Sequence, residues 1–181
     1  MIFAAIAGKR TEKIEVPLAK EGEAEELVVV FAARGKDVVD LDLSTVHTAP
    51  STKGRIIVRG VVFDDASARI KGLIRMEKKA IKSDDFFEGR ALVFGKGAKV
   101  ETFPYLEIEA DDVRASHAAT VGVVDEEQLF YLTSRGISEK QARDLIVGGF
   151  LEGVLGTPNL ASIKGKKVIS DLEKVKNYAL G

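Results

Sequence analysis

From residue 27 to about 124 the chain sets out one short apolar or alternating run after another: "LVVVFAA", "VVDLDL", "RIIVRGVVF", "ARIKGLIRM", "RALVFG" and "YLEIEA". Clusters of Gly, Asp, Ser and Pro separate them and no helical period intervenes, so each run reads as a strand and each gap as a turn. This grammar confines the first two thirds of the chain to an all-β arrangement. On spacing alone a sandwich, a barrel and a solenoid fit equally. The alternation is imperfect, as in Ile70, Gly72 and Ile74 against Lys71, Leu73 and Arg75.

At Asp125 the pattern changes. In "DEEQLFYLTSRG" Asp125 is placed to cap a helix, Gln128 stands at its third position and Gly136 can end it in a left-handed conformation. "SEKQARDLIVGGFLEGVLGTP" repeats the plan, with Ser138 capping, Gln141 closing the box, and Gly156 and Pro158 as the stop. The sequence thus divides into a β unit over 1–124 and a helical unit over 125–181, where "KKVISDLEKVKNYAL" predicts a last short helix. On the second helix Ala142, Leu145, Ile146, Gly149, Phe150 and Gly153 follow helical spacing and predict its apolar face. Leu129, Phe130 and Leu132 form a similar stripe on the first. Gly148, Gly149 and Gly153 each cost about 1 kcal/mol relative to alanine inside a helix, so they call for close packing, either on the sheet or on a partner helix.

Little in the sequence supports catalysis. The chain has 181 residues, a formal charge of -1 and no cysteine, which removes disulfides, thiolate zinc sites and thiolate ligands for an iron-sulfur cluster from this chain. Its balanced charge and pI of about 6.2 attract neither nucleic acid nor an anionic membrane. The opening "MIFAAIAGKR" is too short to span a bilayer and its charges follow the apolar run, so a cytoplasmic protein is expected. "GKGAK" at 95–99 lacks phosphate-loop spacing and reads as a strand turn, and no hydrolase or zinc-protease motif is present. Glu107, Glu109, Asp111 and Asp112 could place carboxylates on one strand face, though a solvated edge is the commoner meaning; "EGEAEE" at 21–26 reads as a solvated turn. Of the two histidines, His47 beside a proline turn is expected to hydrogen-bond a loop. His117 in "RASHAATVG" sits among small residues that admit another backbone.

The stretch "YLEIEADDVRASHAATVGVVDEEQLFYLTSRGISEKQARDLIVGGFLEGVL" resembles the C-terminal block of the SufB/SufD family, scaffold proteins of the SUF iron-sulfur cluster assembly system. A fainter likeness runs back through "KKAIKSDDFFEGRALVFGKGAKVET" and "VHTAPSTKGRIIVRGVVFDDASARIKG", covering Glu21 to Leu155 in all. The resemblance implies a right-handed parallel β-helix, a short β-solenoid, followed by a small C-terminal helical domain. It also implies pairing with a SufB/SufD-like subunit, or with a second copy as a homodimer, through the strands around Ala110 to Val124. It implies docking of a SufC-type ABC ATPase through Leu129, Phe130, Leu145, Ile146 and Phe150.

The resemblance places His117 on the histidine of the family's "SHGAT" motif, near the subunit interface, with Ser116 beside it. The departures are as telling. Ala115 stands where SufD-type members write a cysteine, Gly89-Arg90-Ala91 where SufB-type members carry one, and Phe87 and Ala91 where a glutamine and an asparagine are usual. The family's N-terminal helical region and much of its β-helix have no counterpart. The expectation is therefore a non-catalytic interaction module, free of nucleic acid and membrane, that meets an iron-sulfur cluster only transiently and with a partner's help. Two alternatives remain: transient iron binding through His117, and a carbohydrate-active β-solenoid enzyme using Glu107, Glu109 and Asp111.

Overall fold

A computed structural model of the chain describes residues 1–156 and 166–181. Nine strands are followed by helices: β1 (Ile2–Ala7), β2 (Arg10–Leu18), β3 (Ala24–Ala33), β4 (Val38–His47), β5 (Lys53–Phe63), β6 (Ser67–Met76), β7 (Asp84–Phe94), β8 (Lys99–Ile108) and β9 (Arg114–Val123). Then come α1 (Glu126–Ser134), α2 (Glu139–Glu152), a 3-10 turn (Gly153–Gly156) and α3 (Lys166–Leu180). Odd-numbered strands form one sheet in the order β1-β3-β5-β7-β9, even-numbered strands a second in the order β2-β4-β6-β8, and every pairing is parallel. The chain therefore coils, laying one strand on each sheet per turn, and of the three architectures open to strand spacing it adopts the β-solenoid.

The two sheets are buried differently, and the sequence reflects it. On β3, Leu27, Val29, Phe31 and Ala33 face the interior between the sheets. Val28, Val30 and Ala32 face outward beneath the helices, in a second core with Val147, Leu151, Val154, Leu172, Val175 and Ala179. A strand covered on both faces reads as a continuous apolar run, which is "LVVVFAA". The even-numbered sheet has one wet face. Val39, Leu41 and Leu43 point inward on β4, while Asp40 and Asp42 point out, Asp40 to Arg69 on β6 at 2.5 Å. The irregular alternation around Gly72 has a steric cause: a Cβ there would lie 2.2 Å from the Phe87 ring, which occupies the interior space instead.

Three expectations are corrected. Within the β unit, two strands precede the run pattern read from residue 27: "IFAAIA" is β1 and "RTEKIEVPL" is β2. The segment 21–26 is a turn only to Glu23; Ala24–Glu26 already belong to β3 and Glu26 is only 3% exposed. On α2 the buried residues are Ala142, Val147, Gly148 and Leu151; of the expected stripe Ala142 is buried and Phe150 packs against the helix–sheet core, but Leu145 and Gly149 are exposed. The sheet selects the face that fits its own outward valines, and helical spacing cannot tell which of two apolar faces that is. The caps hold: Asp125 accepts from the Glu127 amide, Ser138 and Gln141 form the reciprocal box, and Gly136 takes φ +86°. α2 ends at Glu152 and continues as the 3-10 turn to Gly156; Pro158 lies outside the described residues.

Candidate protein-interaction site

A solenoid must stop somewhere, and the coil that stops it exposes the column that every earlier coil buried. Here β8 and β9 are the last strands of their sheets, each paired on one side only. Register fixes which side chains continue the interior columns. On β8, Thr102, Leu106 and Ile108 lie opposite buried Ile70, Ile74 and Met76. On β9, Ala115, His117, Ala119, Val121 and Val123 continue the column of Phe87 and Ala91. With no next coil, Leu106 and Ile108 are left 40% and 43% exposed, Val121 45% and Val123 76%. No charged side chain stands in this final column, for Glu101 and Glu107 alternate to the outer face. An apolar surface of this kind, flanked by two strand edges with unpaired backbone groups, marks an interaction site.

His117 lies in the middle of that end, exposed, opposite the buried Phe87. Ser116 points the other way, in register with Phe86 on the helix-covered side of the sheet. The structure therefore does not bring His117 and Ser116 into one site. Nor do the carboxylates converge. Glu107 turns outward to Arg75 at 2.7 Å, whereas Glu109, Asp111 and Asp112 fall in the turn after β8 instead of sharing a strand face. Among the described residues no group of three or more His, Cys, Asp or Glu side chains is arranged to hold a metal ion.

The other histidine is buried and fully engaged. His47 Nδ1 lies 2.7 Å from Thr52 Oγ1 and Nε2 lies 2.7 Å from Asp85 Oδ2. Thr52 Oγ1 in turn lies 2.7 Å from Ser83 Oγ, and both hydroxyls can donate to the Ala49 carbonyl. The expectation that His47 ties a loop is met. Its acidic partner, 38 residues away, carries no local signal in the sequence. Although the arrangement has the donor order of a catalytic relay, His47 and Thr52 are 0% exposed and no substrate could reach them.

A second exposed apolar surface lies on the helices. Phe130 on α1 is 75% exposed and Leu145 on α2 57%, while Leu129, Ile146 and Phe150 are half-buried, Phe150 against the helix–sheet core. Sequence reasoning missed Tyr131, 56% exposed on α1 and stacked against the Arg135 guanidinium. Between α2 and α3 runs an open groove of about 560 Å3, lined by Ile137, Leu145, Gly149, Lys176 and Leu180 among others. Lys176 spans the joint between the two helices, bonding Glu152 at 2.5 Å and Glu173 at 3.0 Å, and the Glu152 hydrogen bond holds its pKa above the ordinary lysine value.

Fold and surfaces together define a parallel β-solenoid with one uncharged open end and a helical layer that shows apolar side chains to solvent, a design suited to protein assembly. The chain matches the family described as SUF system FeS cluster assembly, SufBD core domain, over residues 3–150, and it belongs to that family. It is 34% identical over 154 residues to the iron-sulfur cluster assembly protein SufD of Bacillus subtilis, a match covering 85% of this chain and 35% of that protein. It is 43% identical over 104 residues to SufD of Escherichia coli, covering 58% of this chain and 25% of the relative. An iron-sulfur cluster assembly SufBD family protein of Staphylococcus saprophyticus is 34% identical over 137 residues, 76% of this chain and 29% of that one. The chain thus spans about a third or less of the curated relatives it matches. Among the described residues no helix is long and apolar enough to cross a membrane.

Proposed function

We propose that this chain is a non-catalytic, SufD-like scaffold of cytoplasmic iron-sulfur cluster assembly. It pairs through the open end of its solenoid and docks a SufC-type ABC ATPase on its helical layer. The observation that carries the proposal is the last coil itself, whose uncharged interior column leaves Leu106, Ile108, Val121 and Val123 in solvent. The mate is a SufB/SufD-like subunit or a second copy; in the second case the pairing is isologous and sets two copies of His117 near one twofold axis. The ATPase meets Leu129, Phe130, Leu145, Ile146 and Phe150, of which Phe130 and Leu145 offer the most free surface. The chain, having no cysteine, holds a cluster only as transient cargo, with thiolates from its partner.

Calorimetric titration with the SufC-type ATPase of the same organism tests the docking half. Binding that Leu145→Asp abolishes supports it, and heatless mixing of two folded proteins rejects it. Light scattering at high concentration tests the pairing half, which a strict monomer, alone and with a SufB/SufD-like relative, would reject. A second reading makes His117 a transient iron ligand, and it draws on the exposure of that imidazole at the open end. Iron binding that His117→Ala leaves unchanged removes it.

A further inference from the structure

The helices cover the odd-numbered sheet, and on the wet outer face of the even-numbered one β8 departs from the pattern of its neighbours. Side chains on that face pair across strands: Arg69 on β6 gives two hydrogen bonds to Asp40 on β4, Lys71 lies 3.8 Å from Asp42, and Arg75 lies 2.7 Å from Glu107 on β8. Register sets Glu101 opposite Arg69, Phe103 opposite Lys71, Tyr105 opposite Leu73 and Glu107 opposite Arg75. Arg69 is committed to Asp40, and Glu101 makes no ion pair among the described residues. Between the two carboxylates stand the rings, Phe103 40% and Tyr105 46% exposed, in columns where β2 has Lys13 and Glu15 and β4 has Asp42 and Ser44. Lys71 Nζ already lies over the Tyr105 ring, 5.6 Å from its centre.

We infer that the outer face of β8 docks an extended basic segment of another protein, with cationic side chains against Glu101 and Glu107 and apolar ones over Phe103 and Tyr105. Charge complementarity sets the choice. Along the column of Asp40, Arg69 and Glu101 the sign alternates from strand to strand, so the group that continues it is a cation. Arg75 and Glu107 leave the same requirement in their own column. An anionic partner would meet the carboxylates first, because Arg69, Lys71 and Arg75 are each held by an acidic neighbour. Pro104 decides how the segment is gripped. The Lys99 and Glu109 amides donate to carbonyls of Ala66 and Met76, so odd-numbered residues of β8 direct their N–H groups toward β6 and even-numbered ones toward the open edge. Pro104, at an edge position, has no N–H, and a strand added there would lack its central hydrogen bond. Recognition therefore falls to side chains, carboxylates for charge and ring faces that receive cations and aliphatic groups alike. The surface needs neither pairing at the open end nor the ATPase contact, since it uses the opposite side of β8 from Leu106 and Ile108.

The probe is a labelled synthetic peptide with glycine at alternate positions, whose other residues read arginine, leucine, leucine, arginine, the spacing of Glu101, Phe103, Tyr105 and Glu107. Its control reads leucine, arginine, arginine, leucine, with the same composition and charge. Fluorescence anisotropy at low salt is expected to show saturable binding of the first, about tenfold tighter than of the control. Phe103→Ser with Tyr105→Ser, and separately Glu101→Lys, are expected to remove that preference; all three positions are exposed, and thermal melts check that folding is kept. No saturable binding, equal affinity for the two peptides, or a preference that survives both variants overturns the inference. Self-association of wild type that the aromatic variant abolishes, without a peptide preference, gives the face to a second copy and overturns it too. A preference lost in Val121→Asp or Leu145→Asp moves the peptide to the open end or the helical layer, overturning the β8 site and leaving the readings of those surfaces standing. Should the aromatic variant misfold, Glu101→Lys alone decides.

Discussion

Gly54 gives the sharpest test of the interior. It opens β5 at an inward position, and a Cβ built there would lie 1.9 Å from Asp85 Oδ2, 2.5 Å from Asp85 Cγ and 3.0 Å from His47 Nε2. Nothing flexible can yield, for Asp85 is 1% exposed and His47 0%. Gly54→Ala therefore acts by evicting the carboxylate from the imidazole. Leaving two buried groups without their hydrogen-bond partner in this way costs about 1–3 kcal/mol for each. Asp85→Ala leaves one His47 ring nitrogen without its partner, a penalty of about 1–3 kcal/mol, and the space that Gly54 was keeping open becomes free. On that background Gly54→Ala should cost little, so the pair of substitutions should destabilise by about as much as Asp85→Ala alone, a coupling of roughly 3 kcal/mol. Equilibrium urea unfolding followed by circular dichroism reads all four corners of the cycle. Additive effects, or a Gly54→Ala protein as stable as wild type, would refute the argument that the glycine exists to admit the His47–Asp85 contact.

Three further outcomes follow from the same geometry. Leu145→Asp should change stability by no more than about 0.5 kcal/mol while eliminating ATPase binding. Val147→Asp, two residues on and fully buried against the sheet, should unfold the helical layer, and thermal melts separate the two. His117→Ala should likewise leave the melting temperature nearly unchanged, because its ring is exposed, so any effect on assembly would be an interface effect. Alkali should release α3. The Tyr178 hydroxyl donates to Asp37 at 2.5 Å, which raises its pKa, and Lys176 is raised by Glu152. Both groups thus favour the folded state below about pH 10, where they are also protonated in the unfolded chain, and lose that contribution as pH rises through their folded values. Hydrogen exchange across Lys166–Leu180 should accelerate only above about pH 10, corrected for intrinsic rates, and before that of β3 or β5; simultaneous loosening would contradict this.

The elements that the sequence discloses are those whose burial is uniform along their length. β3 is covered on both faces and β4 on one, and each reads accordingly as a continuous or an alternating run. β2 was hidden for a different reason. Its interior positions 10 and 12 carry charged residues, so no apolar alternation appears until Ile14. β1, six residues between the chain start and Gly8, is too short to separate from any apolar stretch. The open end was legible only in part. The small residues of 115–119 announce close approach, but the exposure of Leu106 and Ile108 depends on β8 being a last strand, a property of the stack that no local pattern encodes. The partnership of His47 with Asp85 spans 38 residues and is set by register alone.

The glycines of α2 show how the mistaken helix face becomes informative. Two readings were open for them, packing on the sheet or approach of a partner. Gly148 is buried, and a Cβ there would make only ordinary contact with Lys176 Cε at 3.7 Å, so packing within the described chain does not require a glycine there. Gly149 and Gly153 have nothing within 4 Å of where a Cβ would sit, and so nothing inside the described chain requires a glycine at either position. The helical φ and ψ of Gly153, -54° and -22°, equally suit any residue. Gly149→Ala should then stabilise the protein by about 0.5–1 kcal/mol, the full helical penalty of glycine recovered without a clash. A neutral or destabilising result by urea unfolding would mean that an intramolecular contact holds the position after all. With stabilisation in hand, a weakened calorimetric affinity of the same variant for the ATPase would place the cost of the glycine in the complex, because one substitution would have improved the fold while harming the docking.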